Sequence, residues 1–286
     1  MKEVLRRQFL IATGALLAAP LARAQQPWKA YRVGWLSSGL RPAASTPNVS
    51  YEAFMQRMRE LGYVEGRNLL VEQRYGEGRP ERLAEHAAEL ARIPVDVIVA
   101  TTTTSTAAAS KATRTIPIVM GSAANPVAAG LIASLSRPGG NVTGSTLETA
   151  DTTAKRLELL REAVPGLRRV AALHPAQLRS IAIVSEWLKD NQAAARHLGV
   201  ALTAVDLPID DHSGWDDVFR KAAVDGLDGA TVMETATYLA YRAKLAELAL
   251  RHRVVTIFPF REQAEEGGLM AYGADVCLEL TRFGGG

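Results

Sequence analysis

Val95-Asp96-Val97-Ile98-Val99-Ala100, followed at once by Thr101-Thr102-Thr103-Thr104-Ser105-Thr106, is the stretch whose reading decides the fold. A short apolar run rich in β-branched residues reads as a buried strand. The hydroxyl block behind it is suited to cap the free N–H groups at a helix start. A strand that passes directly into a helix is the building unit of a parallel α/β sheet covered by helices.

Working outward, the same alternation fills the chain. In the first half, strands are expected at Tyr31 to Leu36, Leu69 to Tyr75, Val95 to Ala100, Pro117 to Met120 and Asn141 to Ser145. Helices between them carry apolar residues three and four apart, such as Phe54, Met58, Leu61 and Leu83, Ala87, Leu90, Ala91. In the second half, strands are expected near Val170 to Leu173, Ala201 to Val205, Gly229 to Met233, Val254 to Phe258 and Leu269 to Ala271. One helix there is expected to carry Tyr238, Tyr241, Leu245, Leu248 and His252 on a single face. Pro138-Gly139-Gly140 and a short strand mark the change of unit near Gly144 to Thr149. The expected organisation is a leader over 1–24, a first lobe over 25–145, a second over 146–272 and a remnant returning to the first over 273–286.

The start reads as an export signal: Lys2, Arg6 and Arg7 precede an apolar run from Phe9 to Leu21, and Ala22-Arg23-Ala24 forms a small-residue cleavage site. The mature chain is expected to begin near Gln25 in the periplasm. Arg6-Arg7 with Phe9-Leu10 resembles the twin-arginine pattern, although an ordinary secretory signal reaches the same compartment. No later stretch is long and apolar enough for a membrane span.

The formal charge is +3, but setting aside the four basic residues and one acidic residue of 1–24 leaves the two signs equal in number. Nucleic acid is therefore an unsuitable partner, since binding it requires a basic face. Cys277 is the sole cysteine, so no disulfide is expected, and its position rules out lipidation at the cleavage site.

In parallel α/β sheets ligands sit outside the carboxyl ends of the strands. In the first lobe that edge offers Ser37 and Ser38, then Thr101, Thr102, Thr103 and Thr104, then Ser122 and Asn125 of Gly121-Ser122-Ala123-Ala124-Asn125-Pro126, which is expected to enter another helix. Hydroxyls and amides at a helix start can hold a carboxylate or simply cap the helix. The second lobe offers His174-Pro175, Glu234-Thr235, Pro259-Phe260-Arg261 and Tyr272-Gly273. Glu234 is suited to a ligand ammonium group or to an internal ion pair. Phe260 and Tyr272 are the aromatic candidates.

Catalytic and cofactor patterns are weak. Gly76-Glu77-Gly78 is followed by Pro80 and Glu81 where a dinucleotide fingerprint needs glycine, and Gly34 to Gly39 lacks the lysine of a phosphate loop. His86, His174, His197, His212 and His252 never fall at metal-ligand spacing. No Gly-x-Ser-x-Gly elbow occurs. No cofactor, metal or catalytic residue is expected.

At this point the chain resembles the type I fold substrate-binding proteins of ABC importers, in the branch that includes binders of aromatic amino acids. The likeness rests on Arg59-Glu60-Leu61-Gly62-Tyr63-Val64-Glu65-Gly66-Arg67-Asn68, on Val95 to Ala100, on Ser136-Arg137-Pro138-Gly139-Gly140-Asn141-Val142-Thr143-Gly144, on Lys155-Arg156-Leu157-Glu158-Leu159-Leu160 and on Gly267-Gly268-Leu269-Met270-Ala271-Tyr272-Gly273. The resemblance implies two Rossmann-like lobes that close over a small organic solute and dock on a membrane permease. It implies ligand contacts from Ser37, Ser38, Thr101 to Thr104, Ser122 to Asn125 and Tyr272. Such a protein is not an enzyme. The alternative role is a periplasmic sensory protein that presents its solute to a receptor.

Two departures stand out. Asn125 occupies a position where many relatives carry Asp, which removes a partner for an ammonium group and favours an organic acid or neutral solute. The chain also stops at Thr281-Arg282-Phe283-Gly284-Gly285-Gly286, short of the family pattern. A monomer is expected where the usual C-terminal element is present, and marginal stability or self-association where it is missing.

Overall fold

The computed structural model describes residues 29–43, 48–147, 150–179, 181–209, 211–273 and 275. The leader, the cleavage site near Gln25, Cys277 and most of the expected C-terminal remnant lie outside these residues.

Five parallel strands form the first sheet: β1 (Tyr31–Ser37), β2 (Leu69–Tyr75), β3 (Val97–Ala100), β4 (Ile118–Ala124) and β5 (Val142–Leu147), in the order β2-β1-β3-β4-β5. Three helices cover it: α1 (Val49–Glu60), α2 (Pro80–Arg92) and α3 (Thr103–Ala112). The period of two along β1 sorts its side chains between two faces. Val33 and Trp35 pack with Phe54 and Met55 of α1, whereas Leu36 packs with Leu83, Ala87 and Leu90 of α2. Pro80 at the first position of α2 is pre-set for a helix start.

The second sheet holds β6 (Arg169–His174), β7 (Ala201–Asp206), β8 (Gly229–Val232), β9 (Val255–Phe258) and β10 (Met270–Ala271), in the order β10-β9-β8-β6-β7, again all parallel. Helices α4 (Ala150–Ala163) and α5 (Ala182–Leu198) lie on one face, where Leu157, Leu160 and Ala195 meet Val170 and Ile257. The other face carries α6 (Trp215–Val224), α7 (Ala236–Ala240) and α8 (Arg242–Arg251), with Trp215, Phe219, Leu245 and Leu248 against Leu173 and Val232. A short helix, α9 (Arg261–Glu265), follows β9. The chain therefore has two α/β lobes with parallel sheets flanked by helices, and β5 runs two residues past the boundary expected at 145.

Three expectations need correction. Gly121 to Ala124 is not a loop: β4 continues through it, with a register shift against β5 between Met120 and Ala123. Small side chains there conceal a strand from any hydrophobic pattern. Pro126 to Gly130 forms turns rather than a helix. The helix expected to carry Tyr238 through His252 is split at Tyr241, which ends α7 and opens α8 with φ −98° and ψ 28°. Among the described residues no helix is long and apolar enough to cross a membrane.

Candidate functional site

The first lobe contributes a wall of hydroxyls at the carboxyl ends of β1, β3 and β4. Ser37 is buried, and its Oγ accepts from the Gly39 N–H at 3.2 Å, shaping the turn after β1. Thr102 caps α3 in a reciprocal box with Ser105: Ser105 Oγ accepts from the Thr102 N–H at 2.8 Å, and Thr102 Oγ1 accepts from the Ser105 N–H at 3.3 Å. Thr102 Oγ1 also donates to Ser38 Oγ at 3.1 Å and lies 3.0 Å from Thr104 Oγ1 and 3.1 Å from Ser105 Oγ, so four hydroxyls form one network.

The remaining groups of this wall divide between structure and cleft. Thr103 Oγ1 accepts from the Ala124 N–H at 2.8 Å and so fastens the start of α3 to the end of β4. Ser122 Oγ donates to the Thr101 carbonyl at 2.8 Å. Thr101 Oγ1 is buried and has no hydrogen-bond partner among the described residues, although Thr101 lines the cleft. Asn125 has φ +40°, a conformation Asn tolerates better than most residues. Its Oδ1 accepts from the Ala128 N–H at 3.3 Å, a turn role at the cleft rim.

On the opposite wall, Glu234 follows β8 and forms an ion pair with Arg156 of α4. Arg156 is 2% exposed, and its Nε donates to the Tyr272 carbonyl at 2.6 Å. Glu234 lines the cleft, but its charge is already balanced. Phe260 also lines the cleft and is 5% exposed, because it packs with Leu239 against Trp35 and Tyr75 of the first lobe. Tyr272 is not among the cleft-lining residues: it is 41% exposed, and its backbone serves Arg156 and Phe258. His174 ends β6 as a fully buried residue rather than in a turn, and burial, the larger cause, lowers its pKa despite Asp206 3.4 Å from Nε2.

One contribution escaped the sequence reading. Ile183, Glu186, Trp187 and Asp190 of α5 all line the cleft. Their spacing of three, four and seven puts them on one helical face. That spacing, on the helix following His174-Pro175, is the signal that was available. Asp190 has its pKa raised by burial.

The two walls enclose a cavity of about 450 Å³, within the size range of small-molecule sites. The lobes also touch one another at residues that line it. A Cβ added at Gly39 would lie 2.8 Å from Ala236 Cβ, and one at Gly78 would lie 2.9 Å from Ile209 Cδ1. Among the described residues no group of His, Cys, Asp and Glu could hold a metal ion.

Two parallel α/β lobes with a cleft between the carboxyl edges of their sheets define a class of proteins that close around a small solute. Within that class the chain belongs to the ABC transporter substrate binding protein family, whose model matches residues 47–277. Membership gives it a small-molecule-binding role rather than a catalytic one. A domain from Streptococcus pneumoniae, solved in complex with L-Trp, superposes with a TM-score of 0.74 at 18% identity, covering 88% of this chain and 82% of that one. A conserved domain protein from Vibrio cholerae gives 0.76 at 20% identity, covering 89% and 82%. A Clostridioides difficile (strain R20291) protein named tyrosine-binding protein is 31% identical over 125 residues, which is 43% of this chain and 35% of that relative.

Proposed function

We propose that the cleft captures a small organic carboxylate with an apolar or aromatic body, an amino acid or an aromatic acid, and that the closed form delivers it to permease subunits in the inner membrane. The observation that carries this reading is the polarity of the cleft. Ser38, Thr101, Thr102 and Thr104 gather hydroxyl groups beside the N-terminus of α3, where the helix dipole favours an anion. Ile183, Trp187, Met233 and Phe260 supply apolar surface for the body.

Asn125 removes one negative charge from the first-lobe edge, but Glu186 and Asp190 stand in the same cleft, so an amino acid remains compatible. The names of the tyrosine-binding relative and of the L-Trp complex point the same way. On this reading residues 1–24 direct the chain to the periplasm, with the lobes meeting near residue 145, and Tyr272 serves the site through its backbone.

A thermal-shift screen of the purified chain with L-tyrosine, L-tryptophan, L-phenylalanine, benzoate and 4-hydroxybenzoate tests the proposal. A ligand at 100 times its Kd stabilises by about 2.7 kcal/mol, and mass spectrometry should recover it unchanged. No shift with any of the five, or conversion of one to a product, would contradict the reading.

A further inference from the structure

Trp187 is 3% exposed and lines the cleft from the second lobe. Its ring packs with Ala172, Val184 and Met233, and its carbonyl accepts from Asn191 Nδ2 at 2.9 Å. Its own Nε1–H is buried without an acceptor among the described residues. Buried indole N–H groups normally find a partner, because an unmade bond costs the full desolvation of the donor. Trp215 follows that rule, donating to the Pro208 carbonyl at 2.6 Å. Trp35 also lacks an acceptor but does not line the cleft.

Across the cleft, Thr101 Oγ1 is the matching unpartnered group of the first lobe. The two residues line opposite walls of the cleft, and each holds one buried polar atom without a partner among the described residues. A solute with polar atoms at both ends of an apolar body is suited to satisfy the two together.

Resting on the reading that the cleft holds a small carboxylate, we infer that Trp187 is a specificity-determining donor. Its Nε1–H receives a second acceptor of the ligand, a hydroxyl or carbonyl oxygen remote from the carboxylate at the threonine wall. The solute is then bifunctional, and its analogue lacking the second oxygen binds less well because the indole N–H is left unpaired.

The test is calorimetric titration of the full chain and of Trp187→Phe with two matched pairs, L-tyrosine against L-phenylalanine and 4-hydroxybenzoate against benzoate. The variant keeps an aromatic ring and loses the N–H. The native chain should prefer the hydroxylated member of at least one pair by about 3-fold to 10-fold, the range for one neutral hydrogen bond. Trp187→Phe should abolish that preference, bringing the affinities of the two members of the pair together whatever the smaller ring does to both. A native chain without preference, or a variant that retains it, overturns the inference alone, whereas failure of all four compounds to bind the native chain overturns the carboxylate reading with it. A readout without a variant is the Trp187 indole N–H resonance in the native chain. It should move downfield with the hydroxylated member and not with its partner; an unmoved resonance at saturation counts against the inference even if the variant does not fold.

Discussion

Thr102 and Thr101 are neighbours with opposite relations to stability. Thr102 closes a capping box, so Thr102→Ala removes a cap worth about 1 kcal/mol of stability as well as a cleft hydroxyl. Its effect on binding is therefore mixed with an effect on folding. Thr101 Oγ1 has no partner among the described residues, so Thr101→Val discards a buried hydroxyl that contributes nothing to the unliganded fold. The expected outcome is a melting temperature for Thr101→Val equal to or above the native value, with ligand affinity reduced by about 0.5–1.5 kcal/mol, and a lowered melting temperature for Thr102→Ala. Equal affinity in Thr101→Val would remove that hydroxyl from the site. Glu234 teaches a related lesson. A carboxylate at a strand end reads as a ligand partner, yet the buried guanidinium of Arg156, 78 positions earlier in sequence, has taken it, and no local pattern records that pairing.

At the scale of elements, the edge between β4 and β5 depends on Gly144. It pairs with Met120 at φ +131°, and an added Cβ would overlap the Met120 carbonyl. Gly144→Ala should cost at least about 3 kcal/mol through strain and steric overlap, read as a fall in the denaturation midpoint; a midpoint within experimental error of the native one would contradict this. Each of the ten described strands was at least partly legible in the sequence as a β-type run, and most of those runs are closed by Gly, Pro or a hydroxyl residue within a few positions. Several residues that carry the family likeness hold loops rather than ligand. Asn68 Oδ1 accepts from the Val64 N–H at 2.6 Å and its Nδ2 donates to the Gly62 carbonyl at 3.0 Å, while Asn141 Nδ2 donates to the Ile116 carbonyl at 2.7 Å. Less was legible where the deciding contact is distant. The small residues of β4 gave no apolar signal, the break at Tyr241 lies inside an unbroken helical pattern, and the cleft-facing stripe of α5 looks like any amphipathic helix until the facing lobe is in place.

For the whole molecule, the proposed function makes closure of the two lobes the motion that matters, and Gly39 stands where they meet. Its added Cβ would lie 2.8 Å from Ala236 Cβ, closer than real carbon contacts allow. Gly39→Ala should therefore penalise the closed state without altering either lobe, and a ligand can shift the balance only by its differential affinity for the two states. The expected result is weaker binding of every ligand tested, an unchanged melting temperature without ligand and a more open average shape in small-angle scattering with ligand present. Affinity at the native level would show that the lobes meet elsewhere. The measurement that bears most directly on the central claim is a crystal structure of the chain with the tightest ligand from the thermal-shift screen. The account predicts closed lobes, with the ligand carboxylate within about 3 Å of the hydroxyls of the threonine wall at Ser38, Thr101, Thr102 or Thr104, and the body against Trp187, Met233 and Phe260. A ligand bound outside the interlobe cleft, or one whose carboxylate faces Glu186 and Asp190 while the threonine wall contacts only its apolar part, would contradict it.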